Sequence, residues 1–365
     1  MHPRKDILLL PGYTPGRSIN TVKEATGLSN IVKLASNESL WGPSPKVVQA
    51  VQDLGQTLLY YPEVKPSNLL NHIGASHGLD PALLFLGNGA DEILRLVASC
   101  FVDPDTEVIY PRPSFAAYAH ATQIFGGHGV AVPLTADGAV DLSQVLRAIT
   151  AKTRLIYLCN PNNPTGGAFN QDQWERFVAQ VPDNLPVVVD EAYREYVQIP
   201  DYPNVESLIV QGRSFIMVRT FSKIYGLAAL RLGWAMAPAP IIDWLYRVRE
   251  PFSVNLAAER AGMAALEDSE WITRARHETW QMRTMLIDEL ERLSFPTWPS
   301  QANFVTFKVP GSSTYWAQAL ESRGYIVRAT DSFGLPGHLR VSLAPEPIMR
   351  GFLNALRDIS PPQPS

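Results

Sequence analysis

The stretch FIMVRTFSKIYGLAALRLG, Phe215 to Gly233, decides how the chain is read. It begins as a near-continuous apolar run, which predicts a strand buried on both faces. Strands of that type belong to a mainly parallel sheet with helices on both sides. Directly after the run stand Ser222 and Lys223, among apolar, small and aromatic neighbours, and Arg231 follows. An ammonium ion in such surroundings is costly unless it is paired. In open α/β sheets ligands gather beyond the carboxyl ends of the strands, so this lysine falls where a site is expected. A surface lysine that snorkels to water is the alternative reading.

The same texture extends outward. ALLFLGNG reads as a strand and Gly-rich turn, followed by the helix ADEILRLVASCF; TEVIYPRPSF, TRLIYLCNPNNPTG and LPVVVDEAY are further strands ending in turns or acids. A Pro-rich start followed by helical spacing predicts a helix from about Pro45. This alternation predicts a large α/β domain over residues 41–245. After about Arg247 the pattern changes. A long helical stretch, SEWITRARHETWQMRTMLIDELERL, leads into NFVTFKV, GYIVRAT and HLRVSL, which predicts a smaller α+β domain over 246–360. Residues 1–40 read as an arm rich in turn formers that joins the small domain, and 361–365 as a disordered tail.

Composition narrows the function classes. The chain has 365 residues, 18% of them charged, and a net charge of −4 without clustered Lys or Arg, so a nucleic-acid footprint is not expected. The early apolar run Ile7 to Pro11 is too short to span a membrane. Cys100 and Cys159 lie in apolar runs and read as buried thiols in a reducing, cytoplasmic compartment. No HxxxH or CxxC spacing points to a metal.

Four strand ends carry polar groups. Gly87-Asn88-Gly89-Ala90-Asp91 is either a plain tight turn or an anion cup made by free N–H groups at a helix start. Asn160-Pro161-Asn162-Asn163-Pro164 fixes an unusual turn that can aim an amide inward, although Asn160 also reads as bonding its own backbone. Asp190, closing the apolar run VVV, must find a cation or several donors, whereas Glu191 reads as a salt-bridged structural acid. Lys223, desolvated and near Arg231, has a lowered pKa, which suits an imine-forming nucleophile. Arg231 suits a phosphate. One lysine, one carboxylate, one arginine and one anion cup together match the needs of pyridoxal 5′-phosphate.

With these motifs in place the chain resembles the fold-type I aminotransferases, and within them the histidinol-phosphate aminotransferase family. LLPGYTPGRS, GLSNIVKLASNESLWGPSP, GNGADEIL, YPRPSFAAY, NPNNPTG, VVVDEAYREYV, RTFSKIYGLAALRLGW, REPFSVNLAA, PSQANFV, GYIVR and HLRVSLA follow in family order nearly end to end. The resemblance implies that Lys223 forms the Schiff base with the cofactor and then moves the proton. Asp190 would pair with the pyridine nitrogen, and Tyr193 and Asn163 with the ring hydroxylate. Gly89, Ala90, Asp91, Ser222 and Arg231 would hold the phosphate, with Thr220 a weaker candidate. Phe115 would stack on the ring, and Tyr61 would reach the cofactor of a neighbouring subunit, implying a homodimer with shared sites.

For the substrate, the resemblance implies Arg340 as the carboxylate-binding arginine, with Asn37 and Asn163 beside it. Arg328 and Tyr13 would add donors for a phosphomonoester. The expected reaction exchanges the amino group of L-histidinol phosphate with 2-oxoglutarate, giving imidazole-acetol phosphate and glutamate. An aromatic amino-acid aminotransferase and a threonine-phosphate decarboxylase are the alternatives. The sequence departs from the family at Ala229, usually glycine, at Trp41, usually tyrosine, and in RVSLAPEP after Arg340.

Overall fold

The computed structural model describes Leu8 and residues 17–360. A short strand, β1 (Val32–Lys33), precedes those of the main sheet: β2 (Leu84–Gly87), β3 (Glu107–Pro111), β4 (His128–Val132), β5 (Thr153–Cys159), β6 (Val187–Asp190), β7 (Phe215–Thr220) and β8 (Gly233–Met236). They lie in the order β2-β8-β7-β6-β5-β3-β4. From β7 to β4 neighbouring strands are parallel, while β8 is antiparallel to both β7 and β2. The sheet is mainly parallel, as expected.

The two-residue period of a strand explains why both faces are covered. Val187 and Val189 of β6 enter one core with Trp174 and Phe177 of the helix Gln171–Val178. Val188 enters the other core with Val97 of the helix Ala90–Phe101 and Tyr118 of the helix Ala117–Ile124. Met217 of β7 splits from Ile216 and Val218 in the same way. Burying each such side chain stabilises the fold by about 1.5–3 kcal/mol before chain entropy is counted. A charge at Val188 would find no partner there and would break the layer.

Four later strands, β9 (Phe304–Lys308), β10 (Tyr325–Ile326), β11 (Arg328–Ala329) and β12 (His338–Ser342), build the rest. β11, β12 and β9 form an antiparallel three-stranded sheet. Its Val305, Phe307, Leu339 and Val341 pack with Leu286 and Leu290 of the long helix Ser269–Arg292, and with Phe352 and Leu353 of Glu346–Arg357. GYIVRAT, expected as one strand, is two. Ile326 of β10 packs with Val22 and Ala35, and β10 pairs in parallel with β1; Val327 enters the core of the three-stranded sheet. Neighbouring residues thus serve two different cores, and the strand breaks between them.

The arm also holds a helix, Ile19–Thr26, capped by Ser18 and anchored through Val22, which the turn-rich reading did not include. Cys159 is buried and Cys100 only half-buried; both are free thiols. Among the described residues, no helix is long and apolar enough to cross a membrane. The expected tail lies outside the described residues.

Candidate active site

The carboxyl ends of β5, β6 and β7 bring the expected polar groups together. Lys223, half-buried just past β7, donates from Nζ to the carbonyl of Ser36 at 3.2 Å and lies 5.6 Å from the centroid of the Tyr193 ring. Burial lowers its amine to about 8, helped by the positive charges of Arg340 and Arg231 and opposed by Glu38 and Asp91. The sequence pointed to Arg231 as the like charge, but Arg340 contributes more. Arg340 is buried, whereas the Arg231 side chain is 41% exposed and screened by water.

Asp190 ends β6 inside the protein. Tyr118 donates its hydroxyl to Oδ2 at 2.7 Å, and the Ala192 N–H donates to Oδ1 at 3.1 Å. Burial raises the carboxyl to about 6, and these two donors hold it from rising further. The requirement that this acid find donors is therefore met. Glu191 is paired with Arg219, whose Nε donates to it at 2.8 Å. Asn160 closes its own loop, bonding Phe169 through both amide atoms at 2.9 and 3.2 Å. Both are structural, as expected.

A polar network joins the two sheets. Asn37, held at φ 59°, donates from Nδ2 to the Tyr193 hydroxyl at 2.9 Å, and its N–H donates to Ser342 Oγ at 2.9 Å. Asn303 Nδ2 donates to the Asn37 carbonyl at 3.1 Å. Arg340 donates to Asn163 Oδ1 and, at 2.7 Å, to the carbonyl of Ala35. The Asn163 loop is tied to the small sheet where Thr306 Oγ donates to the Pro164 carbonyl. Burial pushes the Tyr193 phenol up, so it stays protonated.

The Gly-rich turn, Ser222 and Arg231 form one cup. Gly89 has φ 82°, a conformation that residues with side chains rarely adopt, and the Arg231 guanidinium lies where its Cβ would be. Arg231 donates to Ser222 Oγ at 3.3 Å and pairs with Asp91 at 3.3 Å. The helix Ala90–Phe101 begins without a side-chain cap, which leaves N–H groups at its start. Thr220 is less available: its hydroxyl donates to the Leu232 carbonyl at 3.3 Å and accepts from Ser222 N–H at 3.0 Å.

Phe115 lies half-buried, edge-on to Tyr118 at 5.8 Å. Arg328 of β11 stands directly opposite Arg340 of β12. Tyr61 is 83% exposed and stacked on Phe252 at 4.9 Å, and among the described residues it makes no bond to the Lys223 group. Tyr13 lies outside the described residues. Trp41 donates its indole N–H to Glu278 at 2.5 Å and packs against the cores of both sheets. Sequence reasoning missed Tyr118, Asn303 and Ser342. Tyr118 stands three residues after Phe115 at helical spacing, a pattern that reads as core.

The profile of the class I and II aminotransferases matches residues 29–355. The chain belongs to that family. It is 40% identical to a histidinol-phosphate aminotransferase of Moorella thermoacetica, over 98% of this chain and 92% of that one. It is 38% identical to histidinol-phosphate aminotransferase 2 of Carboxydothermus hydrogenoformans, over 97% and 98%. The crystal structure of the Sinorhizobium meliloti histidinol-phosphate aminotransferase in complex with pyridoxal-5′-phosphate superposes with a TM-score of 0.87, at 25% identity and 98% coverage of both chains. In this aminotransferase the motif order and the strand-end geometry agree.

Proposed function

We propose that the chain is a pyridoxal-phosphate-dependent aminotransferase exchanging the amino group between L-histidinol phosphate and 2-oxoglutarate. The observation that carries the reading is a single juxtaposition: the Lys223 amine, 5.6 Å from the Tyr193 ring centroid, donates to the Ser36 carbonyl, and the buried cation Arg340 donates to the adjacent Ala35 carbonyl. An amine that sheds its proton easily beside an anion receptor suits amino transfer to and from anionic substrates.

The side chains fit the cofactor. The cup of Gly89, Ala90 and Asp91 N–H groups, Ser222 and Arg231 has the donors of a phosphate site, and the space at Gly89 is filled by the guanidinium that would grip the anion. Asp190 supplies a buried carboxylate for a pyridinium nitrogen, and Phe115 an aromatic face. Pyridoxal phosphate, when bound, supplies an aldehyde that condenses with amines and a ring that withdraws electrons from the adjacent C–H bond.

This chain's residues do the rest. Lys223 Nζ takes and returns the proton at the substrate carbon. Tyr118 and Ala192 fix the two oxygens of Asp190. Asn37 orients the Tyr193 phenol, which keeps its own proton to donate. Arg340 occupies Asn163 Oδ1, leaving that amide's nitrogen to donate to a ligand. Arg340 takes the α-carboxylate of glutamate in one half-reaction and the phosphomonoester in the other, where Arg328 and Tyr13 add donors. Exposed Leu58, Leu59, Tyr60, Tyr61 and Val64 support a homodimer in which Tyr61 reaches the partner's site. Two free thiols support a reducing, cytoplasmic setting.

Steady-state rates of the purified protein with histidinol phosphate, phenylalanine and phosphothreonine test the reading. Histidinol phosphate is expected to dominate. Equal rates with phenylalanine would move the assignment to the aromatic enzymes, and carbon dioxide release from phosphothreonine would move it to the decarboxylases.

A further inference from the structure

Arg328 and Arg340 occupy directly opposed positions on antiparallel strands. Like charges so placed repel, and an aromatic ring set against both lowers that cost. The turn that follows β11 carries such a ring. Phe333, half-buried, lies with its ring centroid 5.4 Å from the Arg328 guanidinium carbon and 5.4 Å from that of Arg340. An aromatic face at this distance attracts a guanidinium through its quadrupole. One ring therefore faces both cations.

The turn is built to keep that ring still. Phe333 N–H donates to the Thr330 carbonyl at 3.0 Å, and Gly334 N–H to that of Asp331 at 2.9 Å. Thr330 Oγ1 donates to the carbonyls of Leu335 at 2.7 Å and His338 at 3.0 Å, and Ser313 donates to Asp331. From the other side, Arg112 of the main sheet's β3 loop packs on Gly334, where an added Cβ would lie 3.2 Å from Arg112 Nε.

We infer that Phe333 is a specificity-determining residue: its ring holds Arg328 and Arg340 together as one receptor for a doubly charged phosphomonoester. This rests on the substrate reading above. Arg328 donates to Ser332 at 3.1 Å, a neighbour of Phe333 on the same turn, while Arg340 donates to Asn163 and to the Ala35 carbonyl. The carboxylate uses Arg340 and the phosphomonoester uses both arginines, so loss of the shared ring weakens the phosphomonoester more.

The test compares Phe333→Leu, which keeps apolar bulk but loses the π face, with Phe333→Tyr, which keeps both. For Phe333→Leu, the KM for histidinol phosphate is expected to rise about tenfold and that for glutamate less than about threefold, with kcat within about twofold for each. The inhibition constant of inorganic phosphate should rise in parallel, and Phe333→Tyr should restore all three values. Equal losses for both substrates, or a Tyr variant as impaired as the Leu variant, overturn the inference. If the unsubstituted protein does not turn over histidinol phosphate, the substrate reading fails instead; that outcome is read from the wild-type rates alone.

Discussion

The lowered pKa of Lys223 has a consequence that can be measured without turnover. An ordinary lysine of pKa 10.5 is neutral in about one molecule in 3000 at pH 7, whereas one at about 8 is neutral in about one in ten. The gain in reactive amine is about 300-fold. In cofactor-free protein, competitive acylation followed by mass spectrometry reports the titration of this one residue. The Lys223 labelling rate is expected to reach half its plateau near pH 8. Because Arg340 is the larger electrostatic cause, Arg340→Gln should move the midpoint upward, and Arg231→Gln should move it less. A midpoint near that of an exposed lysine, or a larger effect from Arg231→Gln, would refute the reasoning.

The same residue links pH to stability. Its folded pKa lies below its unfolded one, so the folded state carries a penalty at every pH below about 8 that fades as the pH rises towards 10.5. Lys223→Met should therefore stabilise the cofactor-free protein at pH 7 by at most about 3 kcal/mol, with the gain shrinking by pH 10 in denaturant titrations. Tyr118→Phe removes a donor to the buried Asp190 carboxylate; loss of such a charge-assisted bond should weaken pyridoxal phosphate binding by about tenfold in a fluorescence titration. Arg219→Met leaves Glu191 buried without its partner and should cost about 3–5 kcal/mol in thermal or denaturant unfolding, with Lys223 labelling unchanged in the folded protein.

The strand ends were legible because each pairs an apolar run with a polar residue at its close, as at Val187–Asp190 and Phe215–Lys223. Asp190 and Lys223 could be singled out from chemistry alone, since a charge placed there needs a ligand or a partner, whereas the Gly89 turn read equally well as a plain tight turn until it was set beside them. Tyr118 was not, because its hydroxyl meets Asp190 across the sheet from a helix whose spacing says only that the residue is buried. Asn303 and Ser342 were hidden for a related reason: their partner, Asn37, lies hundreds of residues away, and no local pattern records such a meeting. Arg340 was legible only through resemblance. Its greater weight on Lys223 follows from burial, which the sequence does not state.

Asn37 and Ser342 are 305 residues apart, and the amine of Lys223 finds its acceptor 187 residues upstream. Contacts of such long sequence separation carry a loop-closure cost in chain entropy that local contacts do not bear. The reactive centre thus depends on the whole chain having closed on itself. Cofactor added to a refolding mixture should find no receptor during collapse, and once captured it should slow the parting of the two sheets.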